Sequence, residues 1–164
     1  RRLALLVSGF VRYSAWTRDV ELRGGTDRFA VGAAAVLRTD LHRVYGSGDG
    51  RFRHVISPEL RWENVFLVNH DPSQLLQFDD VERLQKVERV EARLRTTIQV
   101  PDGGFHRDWL LAEVTGEWFP RPRRDNGGKR SGNAVGELRW APAFGDRVWS
   151  IWVRGTWRMP DSSG

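Results

Sequence analysis

Four alternating residues in the middle of the chain have side chains suited to binding phosphate or carboxylate groups. Arg89, Glu91, Arg93 and Arg95 are separated by single small or apolar residues, so an extended strand would place them in one row. Guanidinium groups bind phosphate oxygens through paired hydrogen bonds. The row predicts either a surface that contacts phosphorylated ligands or a salt-bridge network whose charges satisfy one another.

A second group of basic residues lies in a stretch rich in Pro, Gly and Asn, which is typical of a loop. Such a loop could contact the phosphate groups of an anionic lipid or sugar, or it could be a solvated polar connection. The sequence leaves both interpretations open. The residues are Arg121, Arg123, Arg124, Lys129 and Arg130.

Residue types used in catalysis do not form a recognisable arrangement. The chain has no cysteine, no Gly-x-Ser-x-Gly motif, and no Gly-rich stretch followed by Lys-Ser/Thr. His54 is near Glu59 and Glu63 in sequence, but strand alternation would send it to the opposite face. We therefore expect no catalytic residue, no metal ion, no cofactor and no enzyme activity.

The elements that would position the charges are β-strands, because apolar and polar residues alternate with period two over most of the chain. Several of these segments are longer than the usual globular strand of about 5–6 residues, and reach the roughly 9–11 residues that cross a bilayer at a tilt. Pro58 lacks a backbone N–H and predicts a local irregularity. The predicted strands are 3–15, 28–42, 51–63, 89–100, 107–119, 131–140 and 147–159.

The connections between these strands alternate between long and short. Outer-membrane β-barrels have short turns on the periplasmic side and longer loops outside, so the alternation agrees with that topology. Within the longest connection, 73–88 has the apolar spacing of a short helix. The connections are 17–27, 43–50, 64–88, 101–106, 120–130 and 141–146.

Tryptophan is frequent, with eight residues in the chain, and all of them lie in or directly beside the predicted strands. Tryptophan is enriched where an apolar surface meets water, as in the aromatic girdles of membrane barrels, although aromatic residues also favour strands in general. The net charge of +5 comes almost entirely from Arg, which fits anionic partners or GC-rich coding. The predicted girdle residues are Trp62, Trp109, Trp118, Trp140, Trp149 and Trp157.

Together these patterns predict an all-β fold, an antiparallel up-and-down meander of about seven long strands. We expect it to be part of a transmembrane outer-membrane β-barrel and to form a curved open sheet on its own. Seven strands cannot close an ordinary bacterial barrel, so residues 1–164 are expected to be a single segment of a larger barrel domain. The start at Arg1, without an initiator Met or a secretory signal, agrees with a segment.

Five short motifs resemble, in the same order, those of the lipopolysaccharide-assembly outer-membrane protein family, LptD. Residues 52–62 resemble its R-H-x-x-x-P-x-x-x-Y/W strand, and 77–84 its F-D-x-x-D-R segment with a different Asp spacing. Residues 92–99 are similar to its L-x-N-R-L-Q strand, with Thr at the Asn position. Residues 118–126 resemble its Y-F-P … D-N loop, and 137–142 its L-x-Y-x-P turn.

This resemblance covers roughly residues 50–145 and implies a function. Family members receive lipopolysaccharide from a periplasmic Lpt bridge and insert it into the outer leaflet through a lateral opening, with an LptE-like plug lipoprotein as partner. It implies location in the cell outer membrane and contact with outer-membrane lipid, and no nucleic acid partner is expected. No jelly-roll domain and no cysteine lie in residues 1–164, so disulfide-controlled maturation is not expected of this segment.

Two other classes remain open. One is a porin-like passive or structural outer-membrane barrel, which a complete, even strand count without a jelly-roll domain would favour. The other is a soluble Arg-rich β-domain that binds polyanions, which extraction without detergent would indicate.

Overall fold

The structure is a computed structural model that describes residues 3–16, 26–69, 85–144 and 147–160. Long strands dominate the described residues, joined by a 3-10 turn at Gly48–Gly50 and a short helix, α1, at Pro122–Asp125. The strands are β1 (Leu3–Trp16), β2 (Thr26–Thr39), β3 (Leu41–Tyr45), β4 (Phe52–Val68), β5 (Val87–Asp102), β6 (Phe105–Trp118), β7 (Ser131–Trp140), β8 (Ala143–Phe144), β9 (Arg147–Val148) and β10 (Ile151–Arg158).

One open antiparallel sheet contains eight of the described strands. Its order is β1-β2-β4-β5-β6-β7-β10, with β3 also paired to β4, while β8 and β9 form a separate small ladder. Neighbouring strands of the main sheet are therefore consecutive along the chain, except that β2 and β3 both pair with β4. The predicted all-β antiparallel meander is confirmed at this level.

The predicted strand 28–42 is divided at Asp40. Arg38 pairs with Glu59 and Leu41 with Ile56, so the same register continues on both sides of the break. Opposite the break lie Ser57 and Pro58, and the Ser57 hydroxyl donates a 2.5 Å hydrogen bond to Oδ1 of Asp40. Since proline has no N–H to donate, a side-chain bond at this point replaces the regular ladder.

β4 continues to Val68, five residues beyond the predicted end at 63. The register shifts between Val31 and Gly32, where Val31 faces Leu67 and Gly32 faces Val65, which leaves Phe66 as the extra residue of a bulge. The bulge reverses the alternation, and this is why the pattern misplaced the end of the strand. The predicted helical segment 73–88 lies outside the described residues up to 84, and its last two residues belong to β5.

The connection predicted at 101–106 is shorter in the structure, because β5 and β6 extend to Asp102 and Phe105. Gly103 and Gly104 have φ angles of 54° and 92°, the pair of positive values that a tight two-residue hairpin requires. A second bulge lies opposite Ile98 and Gln99, which face Leu110 and Asp108, so Trp109 is the extra residue.

The last predicted strand, 147–159, is only partly correct. Arg147–Val148 pairs with Ala143–Phe144 in the small ladder, and the strand of the main sheet begins at Ile151. Between them, the Trp149 N–H donates to the Pro142 carbonyl. The short connection predicted at 141–146 therefore extends over 141–150, because the chain makes this local hairpin before it joins β7.

The two faces of the main sheet differ sharply. Val114 pairs with Leu94 and Gly136 on one face, and the neighbouring Thr115 pairs with Arg93 and Val135 on the other. The apolar face extends through every long strand, as directly paired residues such as Leu5 and Leu37 or Leu138 and Val153 show. Its other paired members include Val7, Val11, Val31, Ala35, Leu60, Trp62, Val90, Ala92, Ala112, Ala134 and Trp157.

Few side chains of the described residues are buried, since the sheet forms a single layer. The buried apolar ones are Ala30, Val65, Phe119 and Ala134. Most large members of the apolar face are exposed, including Leu94 at 48% and Val114 at 42%. The chain thus sorts its side chains onto two faces without packing the apolar one against anything described.

The connections also divide by length. At one end of the sheet they span 17–25, 69–86 and 119–130, and at the other 46–51, 103–104 and 141–150. We call these the long-loop end and the short-turn end. No helix in the described part of the chain is long and apolar enough to cross a membrane.

Candidate functional site: the charged face and its rims

The face opposite the apolar one carries a network of ion pairs at its centre. Arg93 lies among three glutamates: its guanidinium nitrogens are 3.6 Å from Glu59, 3.2 Å from Glu91 and 3.6 Å from Glu113. Arg95 contributes a 2.7 Å contact to Glu113. Because Glu59 is on β4 and Glu113 on β6, Arg93 connects three adjacent strands.

Arg89 repeats this arrangement closer to the long-loop end. Its two terminal nitrogens donate to Glu63 on β4 at 3.2 Å and to Glu117 on β6 at 3.0 Å. Arg61 adds a 3.5 Å contact to Glu63. We refer to these residues as the charge network: Arg61, Arg89, Arg93, Arg95, Glu59, Glu63, Glu91, Glu113 and Glu117.

The sequence-predicted row of Arg89, Glu91, Arg93 and Arg95 thus lies on one face, and all four residues belong to the charge network. The network holds four arginines and five glutamates, a net charge of 4 − 5 = −1. Its arginines are neutralised by neighbouring carboxylates, which favours the structural interpretation of the row over direct phosphate binding.

Sequence reasoning missed most of the glutamates in the network. Glu59 and Glu63 drew notice only as neighbours of His54, and Glu113 and Glu117 were not singled out. Their signal was nevertheless present, since all four occupy the polar positions of their strands. Antiparallel pairing places Glu59 opposite Arg93 and Glu113 opposite Arg95.

The basic loop at the long-loop end is an ordered turn fixed to β5. The Phe119 N–H donates to the Arg130 carbonyl at 2.8 Å, which closes the loop at its base. At its tip, α1 places Asp125 so that Oδ2 accepts a 3.1 Å hydrogen bond from the Glu88 N–H. Arg121 adds a 3.2 Å ion pair to the Glu88 carboxylate.

Two of the predicted phosphate-binding residues therefore have internal partners. Arg121 pairs with Glu88, and Arg124 forms two hydrogen bonds to Asp125. The hydrogen bond with Asp125 raises the pKa of Arg124 further, although partial burial opposes this, so its charge is constant. Arg123 and Lys129 form no ion pair within the described residues and remain the candidates for an external anion. Arg130 is the residue whose carbonyl closes the base of the loop, and it is exposed.

Beside this loop is a polar cavity of about 400 Å³. Lys129 and Arg158 supply positive charge to its wall, whereas Glu117, the one carboxylate among its described lining residues, is already paired with Arg89. Gly132 also lines the wall, and a Cβ at this position would come within 2.9 Å of the Phe119 ring and 2.8 Å of Glu117, so a larger residue would displace these side chains. Sequence reasoning identified Lys129 but missed Arg158, which lies on the opposite strand of the wall.

Five of the six predicted girdle tryptophans lie at the two ends of the apolar face. Trp62 and Trp118 both pair with Val90 near the long-loop end, and Trp157 is the second-last residue of β10. At the short-turn end, Trp109 and Trp140 form an edge-to-face pair with centroids 6.3 Å apart. The bulge explains how Trp109 reaches this face next to Leu110.

Trp149, the sixth predicted girdle residue, is not in a strand of the main sheet. It lies in the connection before β10 at the short-turn end, with 59% of its surface exposed. The sequence pattern continued the strand through it because Trp149, Ile151 and Val153 share a parity. The local β8–β9 hairpin interrupts that pattern.

His54 lies on the apolar side of the sheet, as alternation predicted, with Nε2 2.6 Å from the Thr96 hydroxyl. Glu59 and Glu63 lie on the other face. Among the described residues, no group of three or more acidic or histidine side chains is placed to hold a metal ion.

Comparison with known proteins found no matching family model, no matching curated protein and no matching solved structure.

Proposed function

We propose that the chain forms part of the wall of an outer-membrane β-barrel, with the apolar face against lipid and the charged face towards a hydrated lumen. The observation that carries this proposal is an apolar face that runs across every long strand, opposite a face that is strongly charged on β4, β5 and β6. An apolar surface of this extent on a protein in water would cause association, because soluble monomers rarely expose patches above a few hundred Å². In lipid the same exposure is favourable.

The dimensions of the apolar face support this environment. Aromatic residues bound it along β6 at Trp109 and Trp118, a separation of about 30 Å along the strand at ~3.3 Å per residue. With the strand tilt of about 40° found in membrane barrels, this becomes a height of roughly 23 Å, close to the ~25 Å apolar band of such barrels.

The edges of the sheet require neighbours in this environment. Among the described residues, β1 and β10 each pair on one side only. An open strand edge in lipid leaves backbone N–H and C=O groups without partners, at several kcal/mol each. We propose that strands of the same polypeptide, or of another copy, pair with β1 and β10 to close the barrel.

Cysteine labelling tests the two environments, because the chain has no cysteine of its own. Val114→Cys and Thr115→Cys change adjacent residues of β6 that lie on opposite faces. In protein assembled into membranes, we expect a water-soluble maleimide to label Thr115→Cys roughly tenfold faster, because the reactive thiolate is disfavoured in lipid. A lipid-soluble maleimide should label Val114→Cys, and urea should abolish the difference. Equal labelling of both positions by the water-soluble reagent would contradict a lipid-facing side.

We further propose that this barrel takes part in lipopolysaccharide transport into the outer leaflet. Two observations support a transport role. Residues 50–145 resemble the lipopolysaccharide-assembly family, and the long-loop rim carries the cationic groups of Arg123, Lys129 and Arg158. These lie next to the charged face, where a phosphorylated saccharide passing through the lumen would meet them. The partners would be the Lpt bridge and an LptE-like plug.

Photocrosslinking in cells tests the transport role. A photoreactive amino acid at Asn133, on the wall of the long-loop cavity, should form adducts with lipopolysaccharide only while the periplasmic bridge is energised. The same probe at Val153 on the apolar face should form adducts that do not depend on energy, since it contacts lipid that is already in place. Adducts at Asn133 that persist without energy would argue against transport.

The charge network favours a second candidate, a passive or structural barrel. Its own arginines are neutralised internally, so the network offers a passing anion no net positive charge. Such a barrel would show the difference in labelling between Thr115→Cys and Val114→Cys, but its crosslinks at Asn133 would not depend on energy. A chain extracted without detergent would instead indicate the soluble, polyanion-binding class.

A further inference from the structure

A smaller cavity, of about 300 Å³, opens at the short-turn end of the charged face. Four of its lining residues carry a positive charge or can acquire one: Arg51, Arg53, His42 and His106. The remaining walls are apolar or aromatic, from Val44, Phe52 and Pro101. None of the described lining residues is a carboxylate, which distinguishes the cavity from the neutralised charge network.

Residues far apart in sequence meet at this cavity because two connections of the sheet, the β3–β4 turn and the β5–β6 hairpin, come together there. β3 and β4 place His42 and Arg53 on the same face, opposite Val55 and Val44 respectively. The β5–β6 hairpin places His106 opposite Pro101. Arg51 follows the 3-10 turn directly and reaches the cavity from its rim.

Among the residues that the structure describes, the cationic groups have no protein partner. Nε of Arg53 is buried and has no hydrogen-bond partner, and the side chains of Arg51, His42 and His106 form no ion pair or hydrogen bond among the described residues. Two neighbouring carboxylates are already engaged: Asp108 accepts from Gln99 at 2.8 Å, and Asp102 accepts from Arg107 at 3.0 Å. A buried guanidinium nitrogen without an acceptor is costly, so an anion in the cavity would stabilise it.

We propose that this cavity binds a phosphate monoester group, either free or carried by a sugar. Two guanidinium groups provide paired donors that match phosphate oxygens, and the histidine rings provide further N–H donors. A volume of about 300 Å³ is at the small end of ligand pockets, which suits a phosphate with its first attached ring. The site does not depend on the barrel proposal, because the sheet alone positions its residues.

Titration of the full chain with inorganic phosphate tests the site. The chain has four histidines, so the ring resonances of His42 and His106 can be followed individually by NMR. We expect phosphate to shift both of these resonances, and not that of His54 on the other face. Arg53→Gln should weaken binding by about tenfold or more, the typical effect of losing a charge-assisted hydrogen bond. Arg51→Gln should also weaken phosphate binding. Arg51 lies outside the strand ladder, so this variant provides the test if Arg53→Gln does not fold.

Arg154→Gln is the matched control, because it removes one positive charge from an exposed position on β10, distant from the cavity. It should leave phosphate binding within a factor of about two, since exposed charges at a distance are screened by salt. The proposal is overturned if phosphate shifts neither His42 nor His106. It is equally overturned if Arg154→Gln weakens binding as much as Arg53→Gln, since that would be a general charge effect.

Glucosamine phosphate distinguishes the two sources of the group. If it binds more tightly than inorganic phosphate, with the same loss in Arg53→Gln, the cavity holds a phosphorylated saccharide. If the two bind equally, the cavity is a site for the free anion. Both results support a phosphate site, and neither depends on whether the sheet is embedded in a membrane.

Discussion

Val114→Arg is expected to prevent insertion of the sheet into a membrane, whereas Val135→Arg is expected to be tolerated. Val114 lies on the apolar face, opposite Leu94 and Gly136, and midway along β6 between Trp109 and Trp118. An arginine facing lipid at the bilayer midplane costs about 2–4 kcal/mol. This corresponds to a loss of roughly thirtyfold to nearly a thousandfold in the insertion equilibrium.

Val135 is a close control for this change. It lies on the adjacent strand at nearly the same height but on the charged face, where it pairs with Thr115 and Thr156. An arginine there faces the proposed lumen and has Glu137 two residues away on the same face. The two variants therefore carry the same chemical change and differ only in the face that receives it.

The measurement is the folded, protease-resistant fraction after assembly into lipid vesicles. Val135→Arg should resemble the unaltered chain, and Val114→Arg should remain unfolded or aggregated outside the vesicles. If both variants assemble equally well, the apolar face does not contact lipid. If both fail, the effect comes from the strand pairing and not from the environment of the face.

The sequence predicted the two faces well because alternation is a local signal that backbone geometry converts directly into sidedness. Leu94 and Arg95 separate in any extended strand, and their assignment requires no knowledge of a partner. A slip of one residue between neighbouring strands would mix the two faces, so alternation restricts the register without fixing it.

The irregular positions could not be predicted, because each depends on a partner strand. The bulges at Phe66 and Trp109 arise where two strands adjust their register, so neither strand shows them alone. Because of the bulge at Phe66, β4 continues beyond its predicted end. Because of the bulge at Trp109, this side chain lies on the apolar face together with Leu110. Trp149 lies outside its predicted strand because Arg147 and Val148 pair with Phe144 and Ala143 in the small β8–β9 ladder. The alternation of apolar residues continues through this hairpin and does not reveal it.

The candidate site shows the same division. The sequence identified Arg89, Arg93 and Arg95, but the partners that neutralise them lie on β4 and β6. A basic side chain is paired or free depending on which residue of the neighbouring strand lies opposite it. The sequence of its own strand does not give that residue. The cavity at the short-turn end joins His42 to His106 through two hairpins, and no spacing in the chain indicates that they meet.

Arg93→Gln tests whether the charge network holds the wall together. Arg93 is the residue that contacts glutamates on three strands, and its removal leaves Glu59, Glu91 and Glu113 close together without their shared cation. Breaking a buried ion pair costs about 3–5 kcal/mol, but the Arg93 side chain is 35% exposed and solvent screens part of the repulsion. We therefore expect the free energy of unfolding to fall by about 1–3 kcal/mol, as measured by urea titration of the folded chain.

Arg61→Gln is the control, since Arg61 has a single 3.5 Å contact with Glu63 and a side chain that is 48% exposed. An exposed pair of this kind contributes about 0–1 kcal/mol. Adding Glu91→Gln to Arg93→Gln should restore part of the lost stability, because it removes one of the repelling carboxylates, whose ion pair among the described residues is with Arg93. If Arg93→Gln costs no more than Arg61→Gln, the ion pairs are solvated contacts on the sheet surface. A larger loss that Glu91→Gln partly reverses would mean that the arginine row stabilises the wall by neutralising its own glutamates, which leaves anion recognition to the two rims.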